Sequence, residues 1–484
     1  MSLSRGLMLM GDDLNDYIAP AQACTQPPVQ QPSQDRLQEA GGVEIHDTNS
    51  SNPTGEKVSI SLQDCLACSG CVTSAEVVLV EQQSEQEVLN NLRNKEDRVI
   101  IASISPQTLA SFAAKYDVPA PQVYSIITSF LTGLGVDRVM DISTSRDIAL
   151  VASAQEFIHR YRASQPGFDP SSSSSSSPLP LLASACPGWV CYAEKTHPHT
   201  LPYISHVKSP QQIMGSYVKE VVGSELGRSP DKVYHISIMP CYDKKLEASR
   251  SDFYNDLYST RDVDCVLTTG ELERLFISER GSFGAFQTAQ GSMGMQDTFS
   301  LDHAPKPVGS PSGGYLEFIL AYAAKELFQI DGVSAEHGTG CEIKTLRNAD
   351  MKEITLEREG QVLLRFAICY GFRNIQNLVR RIKTKRCVYH YVEVMACPSG
   401  CINGGGQLRP KEDQSIGVKE WLAHVANTYH SLPTRLAMDN PAVEQTVQSW
   451  LGGWETDQAR KSLLTQYHDI KNKGSQSNPL ATTW

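Results

Sequence analysis

Three times in this chain an apolar, strand-like run ends on a cysteine set beside a proline. The runs are Leu182-Ala-Ser-Ala-Cys186-Pro187-Gly188, His235-Ile-Ser-Ile-Met239-Pro240-Cys241 and Val392-Glu-Val-Met395-Ala-Cys397-Pro398-Ser-Gly-Cys401. In open α/β sheets ligands gather in the crevice beyond the carboxyl ends of the strands. Cys186, Cys241, Cys397 and Cys401, delivered there by three strands, converge on one place, which reads as a shared metal centre. The alternative is a small buried thiol in each turn. The surroundings suit negative charge. Cys401-Ile-Asn-Gly404-Gly405-Gly406 offers backbone amides without Cβ obstruction, a nest for sulfide or thiolate. The pattern from Tyr242 to Arg250 is helical, so Cys241 stands before a helix N-terminus, with Lys244 one turn on as a cation. Met239 and Met395 either line a cofactor or fill core. Cys191, Cys265, Cys341, Cys369 and Cys387 lie in apolar or helical contexts and read as structural.

The rest of the chain alternates in the same way. Arg98–Ile104 is a short apolar run, and Ser105-Pro106 after it is a helix cap with proline at the first helical position. Further strands are expected at Val139–Ile142, Leu179–Ala183, Val233–Met239, Asp264–Leu267, Val362–Ile368 and Val388–Met395. Helical patterns lie between several of them, the signature of α/β layering with mainly parallel strands. Gln26–Gln34 and Asn49–Gly55 make residues 25–60 a linker. Thr73–Leu92 has helical spacing. The serines 171–177, closed by Pro178, read as a flexible surface insertion. Trp421–Tyr429 and Asn440–Tyr467 are helix-like, and Lys471–Trp484 reads as a disordered polar tail ending in a tryptophan.

Composition excludes several classes. With 484 residues the chain has room for two to four structural units. Forty-three basic residues against 54 acidic ones leave a net charge of −11, which argues against binding to nucleic acid. The basic run Arg380-Arg381-Ile-Lys383-Thr-Lys385-Arg386 reads as a solvated helix face. No apolar run reaches the roughly 18–20 residues of a membrane helix, and no secretory signal is visible. The dipeptide Gly-Lys never occurs, so there is no Walker A loop. A reducing cytosol is the expected compartment, where 13 cysteines are thiols or ligands rather than disulfides.

A second constellation precedes the first. Cys65-Leu-Ala-Cys68-Ser-Gly-Cys71 wraps three thiolates around a tight loop whose small residues admit backbone amides, the spacing of an iron–sulfur run. A four-thiolate zinc site is the alternative. Cys24, the one cysteine before the loop, is a candidate fourth ligand or else a free thiol.

Ser184-Ala-Cys186-Pro-Gly-Trp189, Met239-Pro-Cys241-Tyr-Asp-Lys244-Lys-Leu-Glu247 and Glu393-Val-Met-Ala-Cys397-Pro-Ser-Gly-Cys401-Ile-Asn-Gly-Gly-Gly-Gln407 resemble the three signature motifs of iron-only hydrogenases. Lys208-Ser-Pro-Gln-Gln212 and Val266-Leu-Thr-Thr-Gly-Glu271 also look familial. The resemblance covers about residues 98 to 465. Asp64–Cys71 looks like the eukaryotic hydrogenase-like branch, which holds cytosolic iron–sulfur assembly factors and prelamin A recognition factors. Asp12–Cys24 is similar to the assembly factors in particular, which makes Cys24 the implied fourth ligand. The resemblance implies a two-lobed α/β hydrogenase-like fold with a cluster between the lobes. It implies an N-terminal ferredoxin-like segment in 1–97, a large-subunit domain in 98–410 with the insertion at 170–178, a small-subunit-like helical region in 411–470 and a flexible tail in 471–484. Two 4Fe–4S clusters follow from it. One is held by Cys24, Cys65, Cys68 and Cys71. The other is held by Cys186, Cys241, Cys397 and Cys401, flanked by Lys244, Met239, Met395, Gly404 and Gly405.

The departures shape the expected function. Hydrogenases have tandem cysteines in the first motif, and the extra thiol relays protons; here Ala185 stands in its place. An alanine methyl carries no proton, and a general acid must be within hydrogen-bond reach of the group it serves. Ala152-Ser153 aligns where a glutamate of the same relay is expected. The implied protein is therefore not an enzyme. It is an adaptor of cytosolic and nuclear iron–sulfur protein assembly, between an early scaffold and a late targeting complex with a WD40-type subunit, serving apo client proteins indirectly, with no nucleic acid or membrane partner. Trp484 on the tail is the candidate docking residue, although Thr482-Thr483-Trp484 lacks the acid of the usual docking tail. A residual hydrogenase and a nuclear prelamin-tail binder are the alternatives. The expected location is cytoplasmic and also nuclear.

Overall fold

Strand propensity and helix caps alternate from Val99 onward, and a computed structural model shows what they build; it describes residues 74–165, 178–281, 283, 308–411 and 415–470. Cys24, Cys65, Cys68, Cys71, Trp484, the linker, the serine run and the tail lie outside the described residues. Contacts divide the chain after Val78, and the description below concerns Leu79–Trp484.

The first sheet joins β1 (Val99–Ile104), β2 (Arg138–Asp141), β4 (Val233–Met239) and β7 (Cys265–Thr268) in the order β2-β1-β4-β7. All of its pairings are parallel. The second joins β3 (Leu181–Leu182), β8 (Glu342–Thr345), β9 (Met351–Arg358), β10 (Gln361–Tyr370) and β11 (Tyr391–Met395) in the order β3-β11-β10-β9-β8. Its β3-β11-β10 half is parallel, and β8 and β9 add on antiparallel. A two-stranded ribbon, β5 (Tyr254–Asn255) and β6 (Thr260–Arg261), stands apart.

Helices cover both sheets. Those used below are α1 (Pro106–Tyr116), α2 (Ser143–Ala163), α3 (Pro187–Thr196), α4 (Asp243–Ala248), α5 (Thr269–Arg280), α6 (Tyr315–Phe328), α7 (Phe372–Lys383) and α8 (Val418–His430). Ser105 caps α1 through the Thr108 amide, with Pro106 at the first position, as the sequence predicts. Thr268 and Glu271 form a reciprocal capping box on α5, which satisfies two amides that a helix start otherwise leaves unpaired. Against the first sheet pack Phe112 of α1, Phe276 of α5 and Trp421, Val425 and Tyr429 of α8. The second sheet is covered on both faces because side chains alternate along a strand. Tyr391 joins Phe157 of α2 and Leu320 of α6, whereas Val392 and Val394 join Trp189 of α3 and Ile375 of α7.

The sequence expectation differs at three places. β8 and β9 have no counterpart in it: β9 returns into β10 through Glu359 and Gly360, both at positive φ, a hairpin turn without the usual Asn-Gly or Asp-Gly signal. Thr73–Leu92 breaks into Ser74–Glu81 and Glu85–Arg93, with Ser84 capping the second helix. Asn440–Tyr467 is interrupted at Gly452 and Gly453, both at positive φ. Among the described residues no helix is long and apolar enough to cross a membrane.

Candidate metal centre

Each cysteine of the three motifs stands just past a strand end. Cys186 follows β3 and is the N-cap of α3. Cys241 follows β4, two residues before α4. Cys397 follows β11, and Cys401 sits in the three-ten turn Gly400–Asn403. β3 and β11 are neighbours in one sheet and β4 is central in the other, so the motifs meet where the carboxyl ends of both sheets converge. The thiol of Cys241 feels those of Cys401 and Cys186, and Cys401 feels Cys186. The Ala396 N–H reaches the Cys186 sulfur at 3.3 Å and the Gly406 N–H the Pro240 carbonyl at 3.0 Å, so the loops bearing Cys186, Cys241 and Cys401 pack against one another. Cys397 belongs to the same loop, where its carbonyl accepts the Gly400 N–H at 3.1 Å.

Burial governs the chemistry of these thiols. It pushes Cys241 well above the ordinary thiol value, with Asp243 and the neighbouring thiols adding to it. It raises Cys186 against the opposing N–H donors of Ala396 and Trp189. Cys401 is pushed up to about 12, mainly by burial and Cys186, while the Ser312 hydroxyl works the other way. Burial also raises the Asp243 carboxyl to about 6. Lys244 is held in its charged form. Burial opposes its charge, but Glu247 and the thiols of Cys241 and Cys401 outweigh it and raise its pKa. Its ammonium donates to Glu247 Oε2 at 2.9 Å and to the Ala185 carbonyl at 3.1 Å.

Glycines and one buried acid shape the walls. A Cβ on Gly404 would run into the Pro240 carbonyl, and one on Gly406 would come within 2.5 Å of Thr268 Cβ. The Gly404 and Gly406 amides donate to the carbonyls of Cys401 and Pro240. The glycine run is therefore a close-packing seam that seats the Cys401 loop on Pro240, and these two amides are not open for a nest. Glu393 of β11 is fully buried. It accepts from Ser310 Oγ and the Leu316 amide, each at 2.7 Å, and from the Tyr370 hydroxyl. These bonds hold the turn carrying Ser312, whose hydroxyl accepts the Cys401 N–H at 3.1 Å. Met239 and Met395 are both buried, Met239 in the packing behind β4 and Met395 in the cluster that contains Cys186 and Cys401.

The donors brought together are thiols, the ligands that iron–sulfur clusters use. A cubane spreads its thiolate ligands over separate corners. Buried thiols that raise one another's pKa need a compensating cation, and a metal core supplies it by holding them deprotonated. The N–H of Ala396, donated to the Cys186 sulfur at 3.3 Å, also favours a thiolate there.

Sequence reasoning missed Glu393, Ser312 and Asp243. Glu393 had a visible signal, a single acid inside the apolar run of β11. Ser312 had none, because it arrives from a turn far away in sequence. Of the remaining cysteines, Cys265 and Cys369 are buried, as structural thiols should be; Cys191, Cys341 and Cys387 are partly exposed.

The fold with its cysteine-bearing strand ends defines a protein of the iron-only hydrogenase class. Residues 98–405 match the family described as iron only hydrogenase large subunit, C-terminal domain. A solved FeFe-hydrogenase superposes with a TM-score of 0.64 at 25% identity over 79% of this chain and 98% of its own. A variant of the Chlamydomonas reinhardtii FeFe-hydrogenase does so with a TM-score of 0.64 at 23% identity and the same coverage. Full-length relatives are more similar. Cytosolic iron-sulfur assembly component 3 of Rattus norvegicus is 45% identical over 96% of both chains. The factor narfl of Xenopus tropicalis, described as a cytosolic Fe-S cluster assembly factor, is 43% identical over 98% of this chain and 99% of its own. Protein NAR1 of Arabidopsis thaliana is 44% identical over 96% of this chain and 97% of its own. The chain belongs to the iron-only hydrogenase-like family, in the branch of these assembly components.

Proposed function

We propose that this protein acts in cytosolic and nuclear iron–sulfur protein assembly as a non-catalytic adaptor between an early scaffold and a late targeting complex with a WD40-type subunit. The observation that carries the reading is the convergence of Cys186, Cys241 and Cys401 at the ends of three strands, in a chain whose full-length relatives are named for iron–sulfur assembly. Cys186, Cys241, Cys397 and Cys401 would hold one 4Fe–4S cluster, and Cys24, Cys65, Cys68 and Cys71 a second. A bound cluster supplies one-electron redox capacity and structural cross-linking. The chain itself seats the thiols, donates the Ala396 N–H to sulfur and keeps a lysine cation beside them. Catalysis of dihydrogen turnover is disfavoured because Ala185 offers only a methyl group and a carbonyl, and that carbonyl is engaged by Lys244. The Lys244 charge is in turn neutralised by Glu247.

The test is iron and acid-labile sulfide per chain on anaerobically purified protein, beside Cys24→Ala. About eight of each, falling in the variant, supports two cubanes with Cys24 in one. An iron excess over sulfide of about two, with infrared bands of iron-bound carbon monoxide and cyanide, would favour a residual hydrogenase instead. Stoichiometric zinc without iron would reject the reading. Deleting Trp484 should weaken capture of the targeting complex at unchanged iron content, because one buried tryptophan dominates a small interface. Equal capture would remove the docking role. Capture of a lamin tail without assembly factors would reverse the choice of pathway.

A further inference from the structure

The outer face of α7 has no part in the proposed cluster chemistry. The helix buries Ile375, Leu378, Val379 and Ile382. It turns Arg380, Arg381 and Lys383 outward, and Lys385 and Arg386 follow beyond its end, all five exposed. Two backbone bonds close the turn: Arg386 N–H donates to the Arg381 carbonyl at 2.8 Å and Lys385 N–H to that of Ile382 at 3.0 Å. These are the two bonds of a Schellman closure. The residue at its left-handed position is Lys385, with φ of 56°, where glycine is the usual occupant and a side chain costs roughly 1–2 kcal/mol.

A helix dipole accounts for cations in the last turn. It accounts for neither Lys385 nor Arg386, which lie past the helix, nor for the missing counter-charge. Elsewhere this acidic chain pairs its buried and half-buried cations, as in Lys245–Glu271, Arg250–Glu194 and Lys115–Glu273. No described acid forms an ion pair with any of the five; Arg381 reaches only the Tyr389 hydroxyl, at 3.4 Å. Beside them Val388 is 51% exposed. His199 is held below its usual pKa by burial and by Lys383. Like charges this close repel one another, and an external acidic surface relieves that repulsion.

The geometry points to a docking surface at the C-terminal end of α7 for an acidic segment of a partner protein. This extends the adaptor reading by naming the chemistry of one partner. The remainder of the chain is more acidic still, so a long polyphosphate running past the patch would be repelled, whereas a short acidic peptide covers seven residues without leaving it. The other end of α7 reaches the candidate centre, where the Gly371 N–H donates to the Met395 carbonyl at 2.9 Å. Twelve helical residues span about 18 Å, so a docked segment lies beside the cysteine loop without covering it.

The experiment is fluorescence anisotropy of the full chain with a labelled twelve-residue glutamate-rich peptide and, separately, a labelled twenty-base-pair DNA duplex, across a salt series. The wild type should bind the peptide, more weakly as salt screens the patch. Arg380→Gln/Lys383→Gln/Lys385→Gln/Arg386→Gln should weaken binding at least tenfold at unchanged thermal stability, and Lys383→Glu alone several-fold. Arg381 is kept for its bond to Tyr389. Unchanged peptide binding in both variants would overturn the proposal. Tighter binding of the duplex than of the peptide at equal salt would also overturn it, and would assign the patch to nucleic acid. Peptide binding needs no iron, so a failed iron assay with intact peptide binding would count against the cluster reading alone.

Discussion

The backbone N–H of Ala396 donates to the sulfur of Cys186 at 3.3 Å, tying the loop after β11 to the loop after β3. The two sequence-distant segments are registered on each other through the very atom proposed to bind iron. Cys186→Ala removes that acceptor and one proposed ligand together. It is expected to lower iron and sulfide by about four each per chain, as are Cys241→Ala and Cys401→Ala. Cys265→Ala, which empties a buried thiol in the core of the first sheet, should leave both contents unchanged. Elemental analysis of anaerobic protein decides it, and retention of iron by all three site variants would refute the assignment.

Glu393→Gln tests the buried acid behind Cys401. The carboxylate takes three donors and offers none. An amide in its place turns one acceptor into a donor facing other donors, at a cost of about 2–3 kcal/mol. Urea denaturation should show that loss. Cys401 should also hold iron less well, because its amide is fixed by Ser312 on the turn that Glu393 anchors. A stability loss with iron fully retained would limit Glu393 to a structural role.

The first sheet and the strand-end cysteines were legible because parallel strands buried on both faces read as apolar runs. The cysteine motifs themselves fixed which ends matter. The antiparallel additions β8 and β9 were not legible. Glu342–Thr345 is exposed throughout and so shows no buried period, and Glu359-Gly360 is a weak turn signal. The glycine run was recognised but misread in part. Sequence shows that Gly404 lacks a Cβ; only the packing shows that Pro240 occupies the space a Cβ would take.

Gly404→Ala follows from that packing. Gly404 has φ of −58°, so alanine meets no backbone strain and the whole effect comes from collision with the Pro240 carbonyl beside Cys241. Overpacking of this kind costs roughly 1–3 kcal/mol. The expected result is a lower melting temperature together with partial loss of iron. Gly270→Ala is the control, because its Cβ would stand 3.5 Å from the Gly406 carbonyl, an ordinary contact. Equal behaviour of the two variants would show that the seam is not what seats the Cys401 loop.

His235 in the middle of β4 sets a pH dependence that the cysteines do not. It is fully buried, and its ring bonds Ser103 Oγ at 2.9 Å and the Asp262 carbonyl at 3.2 Å. Burial lowers its pKa to about 3, against the opposing Asp262 bond. An unfolded histidine titrates near 6.5. Between those values the unfolded chain binds one more proton than the folded one, so stability falls as pH falls. The contribution is fully present above about pH 6.5 and is lost progressively toward about pH 3, by about 1.4 kcal/mol at pH 5.5. His235→Gln removes the titrating ring. The variant should be less stable at pH 7 through lost packing, yet its decline from pH 7 to 5.5 should be shallower than the wild type's by about that amount. Urea midpoints measured at several pH values for both proteins decide it, and parallel profiles would mean that the ring is not held neutral in the fold.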